Sequence, residues 1–225
     1  MKIFLDTANI EDIKKYSRYG FIHGITTNPA LMAKEGNRNV KDVILEIAEY
    51  VDGPINVEVI STNAEGMVEE AKKISKMHKN VVVKIPAVPD GFKALGELSK
   101  LSIRTNLTLV YTANQALLAA INGAAYASPF IGRLDVNSTS GTQLIKEIAA
   151  IYKNYDFKTQ ILAASMRNAI YVKEAALAGA QVATIPPLVI EDMMNCELSK
   201  SALDGFLKDW NKIYPGKNML GEDVQ

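Results

Sequence analysis

Cysteine and histidine, which supply many nucleophiles and metal ligands, are almost missing from this sequence. Its 225 residues include one cysteine, Cys196, and two histidines, His23 and His78. A single cysteine cannot form an internal disulfide, which fits a reducing compartment, and we interpret Cys196 as a passive helix residue. The histidines lie on different predicted elements without ligand-like spacing. The sequence therefore favours neither a zinc site nor a catalytic triad, and we expect no metal ion.

An excess of charge of one sign and long apolar runs are also lacking. Twenty-five basic residues balance twenty-five acidic ones, so no overall field favours nucleic acid or an anionic membrane. No apolar run reaches membrane-spanning length, and the segment MKIFLDTANI lacks the apolar core of a signal peptide. We expect a soluble cytoplasmic protein whose partner is a small molecule, with no binding to nucleic acid or membranes.

Eight short apolar or β-branched runs alternate with stretches of helical periodicity. They are residues 2–6, 21–26, 55–60, 81–85, 105–110, 124–130, 159–165 and 181–185. Strands that alternate with helices indicate a parallel sheet, and eight such units predict a closed (β/α)8 barrel. A doubly wound open sheet is the alternative. No G-x-G-x-x-G follows the first strand and no G-x-x-x-x-G-K-[ST] occurs, which counts against it.

Composition shows no linker and no low-complexity tract, so we predict one barrel domain over residues 1–225. Near its end, a helix at about 198–213 places Leu203, Phe206, Leu207 and Trp210 on one stripe. Such a stripe is typical of a core or a subunit contact. We expect this C-terminal helix to pack on a neighbouring subunit of a homo-oligomer.

A lysine ends the fourth apolar run, in the segment VVVKIP at residues 81–86. Lys84 can extend its charge to water while its stem covers apolar surface, as strand-end lysines commonly do. Alternatively, a partly desolvated amine can lose its proton and attack a carbonyl carbon to form a Schiff base. The segment alone does not separate these interpretations.

Polar or ionisable residues follow seven consecutive predicted strands, where the active face of a barrel forms. In chain order they are Asp6, Thr26, Asn28, Glu58, Lys84, Asn106, Thr108, Ser128, Arg133, Ser165 and Arg167, with Phe130 among them. Each alone has an ordinary explanation, such as Asn28 capping a helix that begins at Pro29. Seven coincident explanations are harder to accept, because buried charge is costly unless it is paired or used.

This combination suits one substrate class. A primary amine among carboxylate, hydroxyl and amide groups can process a keto sugar through a Schiff base. Arginine binds phosphate oxygens bidentately, so two arginines on adjacent loops indicate that the sugar is phosphorylated.

Seven segments resemble, in order and spacing, the transaldolase family, and in particular its short subgroup that also includes fructose 6-phosphate aldolases. They are FLDTANI, GITTNPAL, VEVISTNAEGM, VVVKIP, TNLTLVYTANQALLAA, SPFIGRLD and QILAASMRN, and the resemblance runs from residue 2 to about 210. It implies a (β/α)8 barrel with the Schiff-base lysine on the fourth strand, which is Lys84. It also implies that no cofactor is needed, since the lysine is the electron sink, and that the subunits form a pentamer or a decamer.

The resemblance carries roles over to individual positions. Asp6 corresponds to the acid/base of carbon–carbon cleavage, and Glu58 with Thr108 to the pair that holds the water of imine chemistry. The substrate-binding positions are Thr26, Asn28, Asn106, Ser128, Phe130, Arg133, Ser165 and Arg167. Among these, Asn28, Asn106 and Ser128 would bind the three-carbon fragment, and Arg133, Ser165 and Arg167 the phosphate.

Two positions separate the activities within the subgroup. Aldolase-type members are similar to a pattern with glutamine at the position of Glu58 and tyrosine at that of Phe130, and this sequence has neither. It therefore favours a transaldolase that moves a dihydroxyacetone unit from sedoheptulose 7-phosphate to glyceraldehyde 3-phosphate in the pentose phosphate pathway. The alternatives are a fructose 6-phosphate aldolase and, from another class, a non-catalytic sugar-phosphate-binding protein.

Overall fold

The computed structural model describes residues 1–134 and 140–223, except the side chain of Arg133. The strands in these ranges are β1 Lys2–Asp6, β2 Ile22–Thr26, β3 Ile55–Glu58, β4 Val81–Pro86, β5 Thr105–Val110, β6 Tyr126–Pro129, β7 Gln160–Ala163 and β8 Val182–Ile185. The helices are α1 Ile10–Ser17, α2 Pro29–Lys34, α3 Val40–Tyr50, α4 Ala64–Ile74, α5 Pro89–Lys100, α6 Ala113–Ile121, α7 Ile131–Leu134, α8 Gly141–Asn154, α9 Ala169–Leu177, α10 Pro187–Met194 and α11 Glu197–Ile213.

The eight strands pair in sequence order and close into a parallel barrel, with β1 hydrogen-bonded to β8. This confirms the (β/α)8 prediction and excludes the doubly wound alternative. The register places Asp6 beside Thr26 and Lys84 between Glu58 and Asn106. Parallel register therefore brings the polar strand ends to one level of the barrel.

Side chains alternate along each strand between the helical layer and the barrel interior. On β4, Val81 and Val83 join the large core between strands and helices, whereas Val82 points inside. The interior residues form a separate cluster, here called the barrel floor: Phe4, Val82, Tyr126, Leu162 and Val182.

On four of the five floor strands, the same strand face becomes polar two residues beyond the floor, whereas Leu162 of β7 is followed by Ala164. Phe4 is followed by Asp6, Val82 by Lys84, Tyr126 by Ser128 and Val182 by Thr184. Because side-chain direction repeats every two residues, these polar groups lie directly above the apolar floor. The sequence thus places a polar layer above an apolar floor.

Asparagine caps five of the described helices, α1, α2, α3, α4 and α9. Asn9 Oδ1 accepts from the backbone N–H of Asp12 at the start of α1, and Asn28 Oδ1 accepts from that of Leu31 at the start of α2. The sequence predicted the cap at Asn28. On α4, Met67, Ala71 and Ile74 share one face and are buried, as expected for an amphipathic helix over a sheet.

The third strand is shorter than predicted, ending at Glu58 rather than at residue 60. The backbone N–H groups of Ile60 and Ser61 donate to the Glu70 carboxylate at 2.9–3.0 Å instead of continuing the ladder. The sixth and seventh strands are also shorter than the predicted 124–130 and 159–165, since only Tyr126–Pro129 and Gln160–Ala163 are strands.

The chain divides into two compact units, Met1–Ile190 and Glu191–Gln225. In the second unit, Trp210 stacks on Tyr214 with ring centroids 4.5 Å apart and donates from Nε1 to the carbonyl of Lys217 at 2.7 Å. No residue of α11, which is described throughout, is buried, and Leu203, Phe206 and Leu207 are exposed. Cys196, interpreted from the sequence as a helix residue, immediately precedes α11 as its exposed N-cap.

In the described part of the chain, every helix is too short or too polar to span a bilayer.

Candidate functional site

A cavity of about 160 Å³ opens at the carboxyl ends of the barrel strands. Nine residues that the sequence nominated line it: Asp6, Thr26, Asn28, Lys84, Asn106, Thr108, Ser128, Phe130 and Ser165. They come from β1, β2, β4, β5 and β6 and from the segments that follow β2, β6 and β7. Closure of the barrel therefore brings together residues that are far apart in sequence.

Lys84 is buried in the wall of this cavity, with its side chain 6% exposed. Its Nζ donates to the carbonyl oxygen of Thr27 at 2.8 Å and lies 3.0 Å from Glu58 Oε2. This geometry excludes the interpretation in which Lys84 reaches bulk water. Two of the three ammonium protons have acceptors, so the third direction can face a ligand.

Asp6 accepts a hydrogen bond from Thr26 Oγ1 at 2.7 Å. Thr26 Oγ1 is also 2.5 Å from Thr184 Oγ1, and since the proton of Thr26 is used on Asp6, Thr184 must donate to Thr26. Burial raises the pKa of Asp6 above its usual range, while the Thr26 hydroxyl and the charge of Lys84 oppose this increase. An elevated pKa suits a carboxylate that accepts and returns a proton during a reaction.

Thr108 differs from its neighbours because its hydroxyl is buried and makes no hydrogen bond within the described part of the chain. Buried polar atoms without a partner are rare and call for an explanation. Thr108 lines the cavity, so a ligand or a water molecule there can satisfy its hydroxyl. The next residue, Leu109, has φ 59°, a left-handed conformation that disrupts the β5–β6 register between Leu107 and Val110.

A chain of amides and a hydroxyl crosses the barrel at the base of this cavity. Ser128 Oγ donates to Asn106 Oδ1 at 2.7 Å, Asn106 Nδ2 donates to Asn56 Oδ1 at 2.9 Å, and Asn56 Nδ2 donates to the carbonyl of Ile25 at 3.1 Å. Asn56 and Asn106 are fully buried. Four strands thus hold these side chains in fixed orientations.

Glu58 contacts Lys84 but lines a second cavity of about 460 Å³, which Asn28 also borders. The sequence alone also allowed Glu58 to pair with a surface lysine, and this interpretation is wrong because the lysine that it pairs with is the buried Lys84. Glu58 therefore lies on the wall between the two cavities.

The residues expected to bind phosphate meet only in part. Ser165 lines the cavity in a left-handed conformation with φ 62°, and Arg167 is exposed two residues later. α7 lies against this segment, since a Cβ added to Gly132 would be 2.2 Å from the Ser165 carbonyl oxygen and 3.2 Å from Arg167 Cγ. The side chain of Arg133, which follows Gly132, lies outside the described residues.

Phe130 closes one side of the cavity. Its ring meets Tyr111 edge to face, with the centroids 6.0 Å apart. Within residues 1–134 and 140–223, no cluster of three or more histidine, cysteine, aspartate or glutamate side chains could hold a metal ion.

Comparison with known proteins gives the family. Residues 3–216 match the model for Transaldolase/Fructose-6-phosphate aldolase. The chain belongs to the transaldolase/fructose-6-phosphate aldolase family. This confirms the resemblance seen in the seven motifs and makes the chain an enzyme of the type that transfers aldehyde or ketone groups, for which a Schiff-base mechanism is general.

Curated members of this family are similar over nearly their whole length. A protein named probable transaldolase from Caldicellulosiruptor saccharolyticus is 55% identical, covering 97% of this chain and 100% of the relative. Another of the same name from Carboxydothermus hydrogenoformans is 52% identical over 95% of this chain and 99% of its own.

Solved structures outside the transaldolase family share the fold. Thiamine phosphate pyrophosphorylase from Pyrococcus furiosus superposes with a TM-score of 0.55 at 14% identity, covering 85% of this chain and 89% of its own. Inosine 5' monophosphate dehydrogenase from Legionella pneumophila gives 0.57 at 13% identity, over 83% and 58%. Identities this low show the barrel alone.

Sequence reasoning missed two polar residues of this transaldolase-family site. Thr184 is the penultimate residue of β8, and the rule that found polar residues near the ends of seven strands identifies it when applied to the eighth. Asn56 precedes Glu58 by two residues on β3 and so shares its face. The strand period was therefore a sufficient signal for both.

Proposed function

We propose that this chain is a transaldolase that moves a dihydroxyacetone unit from sedoheptulose 7-phosphate to glyceraldehyde 3-phosphate. The products are erythrose 4-phosphate and fructose 6-phosphate, as in the pentose phosphate pathway. The observation that carries this proposal is the buried amine of Lys84, held 3.0 Å from Glu58 above an apolar floor. The names of the curated relatives support the same activity.

The chemistry assigns Lys84 as the nucleophile. Its neutral amine attacks the ketone carbon, the carbonyl oxygen leaves as water, and an imine forms. Asp6 then takes the proton of the hydroxyl on the carbon being released, and the carbon–carbon bond breaks with its electrons passing into the imine to give an enamine. The enamine attacks the acceptor aldehyde, whose oxygen takes the proton back from Asp6. Glu58 and Thr108 hold the water that is released when the imine forms and consumed when the imine is hydrolysed. The imine itself is the electron sink, so no cofactor is needed.

The remaining cavity residues bind substrate. Asn28, Asn106 and Ser128 hydrogen-bond the three-carbon fragment, and Thr26 lines the pocket beside Asp6. Arg133, Ser165 and Arg167 bind the phosphate, a role supported by the close approach of α7 to the segment that follows β7. The cavity volume of about 160 Å³ suits the fragment, with the phosphorylated end directed toward the mouth.

Transfer competes with release, and Phe130 favours transfer. Its ring lines the cavity and carries no hydroxyl that could donate a proton or order water against the enamine. A fructose 6-phosphate aldolase remains the second candidate, because the family name includes both activities. The two differ in one measurement: free dihydroxyacetone appears from fructose 6-phosphate without an aldehyde acceptor only if release is fast.

Covalent trapping tests the proposal. Borohydride added with fructose 6-phosphate should reduce the imine and add the mass of the three-carbon fragment or the whole sugar to the peptide that contains Lys84. Lys84→Met should abolish both trapping and transfer, whereas the matched variant Lys93→Met, at an exposed lysine of α5, should keep both. Trapping at another lysine contradicts the assignment, and binding without an adduct points to a non-catalytic sugar-phosphate-binding protein.

We also propose that the active form is a cytoplasmic homo-oligomer, a pentamer or a decamer. The exposed apolar side chains of α11, including Leu203 and Phe206, support a subunit contact at the C-terminal helix. The exposed free thiol of Cys196 is compatible with a reducing compartment.

A further inference from the structure

Asn56 is a buried side chain to which the proposed reaction gives no role. It lies at the base of the polar layer, fully buried, and donates from Nδ2 to the carbonyl of Ile25 at 3.1 Å. A backbone carbonyl can only accept a hydrogen bond. The orientation of the Asn56 amide is therefore fixed, with Nδ2 toward Ile25 and Oδ1 toward Asn106.

The fixed orientation of Asn56 also fixes the orientations of Asn106 and Ser128. Since Asn56 offers an acceptor, Asn106 must turn Nδ2 toward it, at 2.9 Å, and must turn Oδ1 toward Ser128. Ser128 must then use its only proton on Asn106, at 2.7 Å. Each residue has one arrangement that satisfies its neighbour, and a buried mismatch would be costly.

Two hydrogen-bonding groups remain available to a ligand in the cavity that Asn106 and Ser128 line. Asn106 keeps its second N–H, which donates, and Ser128 keeps its lone pairs, which accept. A hydroxyl complements this pair because it donates and accepts at once. A group that only accepts, such as fluorine or an ether oxygen, would face the lone pairs of Ser128.

We propose that Asn56 is a positioning residue that sets the direction of hydrogen bonding at Asn106 and Ser128, so that the site selects a hydroxyl rather than an acceptor-only group on the bound fragment. The inference rests on the proposed transaldolase function. β5 and β6 lie across the closed barrel from Asp6 on β1, where the carbon–carbon bond breaks. The selected group is therefore the C1 hydroxyl of the ketose, on the carbon that does not take part in cleavage.

The test compares two donors, fructose 6-phosphate and its 1-deoxy-1-fluoro analogue, with erythrose 4-phosphate as the acceptor. Fluorine is close to a hydroxyl in size but has no proton to donate to Ser128. The measured quantity is the ratio of kcat/KM for the hydroxyl donor to that for the fluoro donor. Differences in intrinsic reactivity cancel when this ratio is compared between variants.

In Asn56→Ala the ratio should fall about threefold to tenfold, the scale of one net neutral hydrogen bond. Asn106 can then turn its amide, and Ser128 can point its proton at fluorine. Water that enters the space vacated by the Asn56 side chain can either donate or accept, so it does not restore the direction of hydrogen bonding at Asn106. Asn56→Val fills more of the space and replaces the alanine variant if that variant is too unstable to assay.

Two matched variants separate direction from stability. Asn56→Asp still presents an acceptor to Asn106, so the ratio should stay close to that of the wild type. Thr159→Ala removes another buried hydrogen bond, from Thr159 Oγ1 to the carbonyl of Ala124 at 2.7 Å, at the opposite end of the barrel. It should lower thermal stability without changing the ratio.

If the wild type is active and its ratio is unchanged in Asn56→Ala and Asn56→Val, this inference is overturned and the proposed function stays intact. A fall of equal size in Thr159→Ala also overturns it, because the effect would then follow stability. A wild type that forms no imine with fructose 6-phosphate overturns the proposed function, and this inference with it.

Discussion

Replacing Asp6 by asparagine should slow the enzyme and at the same time stabilise its fold. Burial raises the pKa of Asp6, which means that the folded protein holds the ionised carboxylate at a cost. Asparagine keeps an oxygen for the 2.7 Å hydrogen bond from Thr26 but carries no charge. It cannot take a proton from the substrate, so turnover should fall about 100-fold or more, the usual scale of general acid–base catalysis.

The stabilisation should depend on pH in one direction. Above the folded-state pKa, Asp6 is ionised in both the folded and the unfolded protein, so the full cost of burying the charge is present. As the pH falls through the folded-state pKa and then the unfolded value of 3.8, the carboxyl becomes neutral in both states and the cost disappears. The advantage of Asp6→Asn should therefore be largest at neutral pH and vanish in acid.

Thermal unfolding of both proteins from about pH 7 to pH 3.5 measures this difference. Each pKa unit of elevation corresponds to about 1.4 kcal/mol, and 1 kcal/mol moves Tm by about 2–4 °C for a chain of this size. The control is Asp156→Asn, at an exposed position with φ 49° that asparagine also tolerates, and it should change Tm little. A lower Tm for Asp6→Asn at pH 7, or a difference that does not change with pH, would refute the reasoning.

Three further outcomes can be measured on altered forms of the protein. Arg133→Ala and Arg167→Ala should mainly raise KM for fructose 6-phosphate, because a phosphate contact persists throughout the reaction. An unchanged KM in steady-state kinetics would contradict the assignment of these arginines to the phosphate. Phe130→Tyr should increase the release of free dihydroxyacetone and reduce its transfer to erythrose 4-phosphate. Each 1.4 kcal/mol of change in an activation barrier alters the corresponding rate about tenfold. If the wild type already releases the fragment as fast as it transfers it, the aldolase is the better interpretation. Light scattering should show an oligomer that becomes smaller when residues 200–225 are removed, and a monomeric full-length protein would refute the subunit contact.

The sequence predicted the barrel well because each strand carries its own signal. VVVKIP begins with three valines and has no polar alternation, as expected for a strand covered on both faces, and it forms β4. Strand ends were less predictable. The boundary at Glu58 depends on Glu70, twelve residues later, whose carboxylate takes the next backbone N–H groups. No local pattern around residue 58 contains that information.

The candidate site shows the same division. Lys84 could be nominated from its strand, but its partners could not, because the carbonyl of Thr27 is 57 residues away in sequence. Asn56 reads as an ordinary polar residue until the closed barrel brings it to Asn106, 50 residues later. Strand alternation indicates which side chains point inward, whereas only the closed register indicates which of them meet.

The barrel floor limits the order in which molecules come and go. Phe4 and Tyr126 pack edge to face with ring centroids 5.9 Å apart and, with the other floor residues, seal the interior below the polar layer. A cavity of about 160 Å³ above an apolar base has no room for two sugars beside the covalently held fragment. The first aldehyde must therefore leave before the second binds, because both occupy the same space. Steady-state rates measured against donor and acceptor should therefore give the parallel double-reciprocal lines of a ping-pong mechanism, with each aldehyde inhibiting at high concentration by re-entering out of turn.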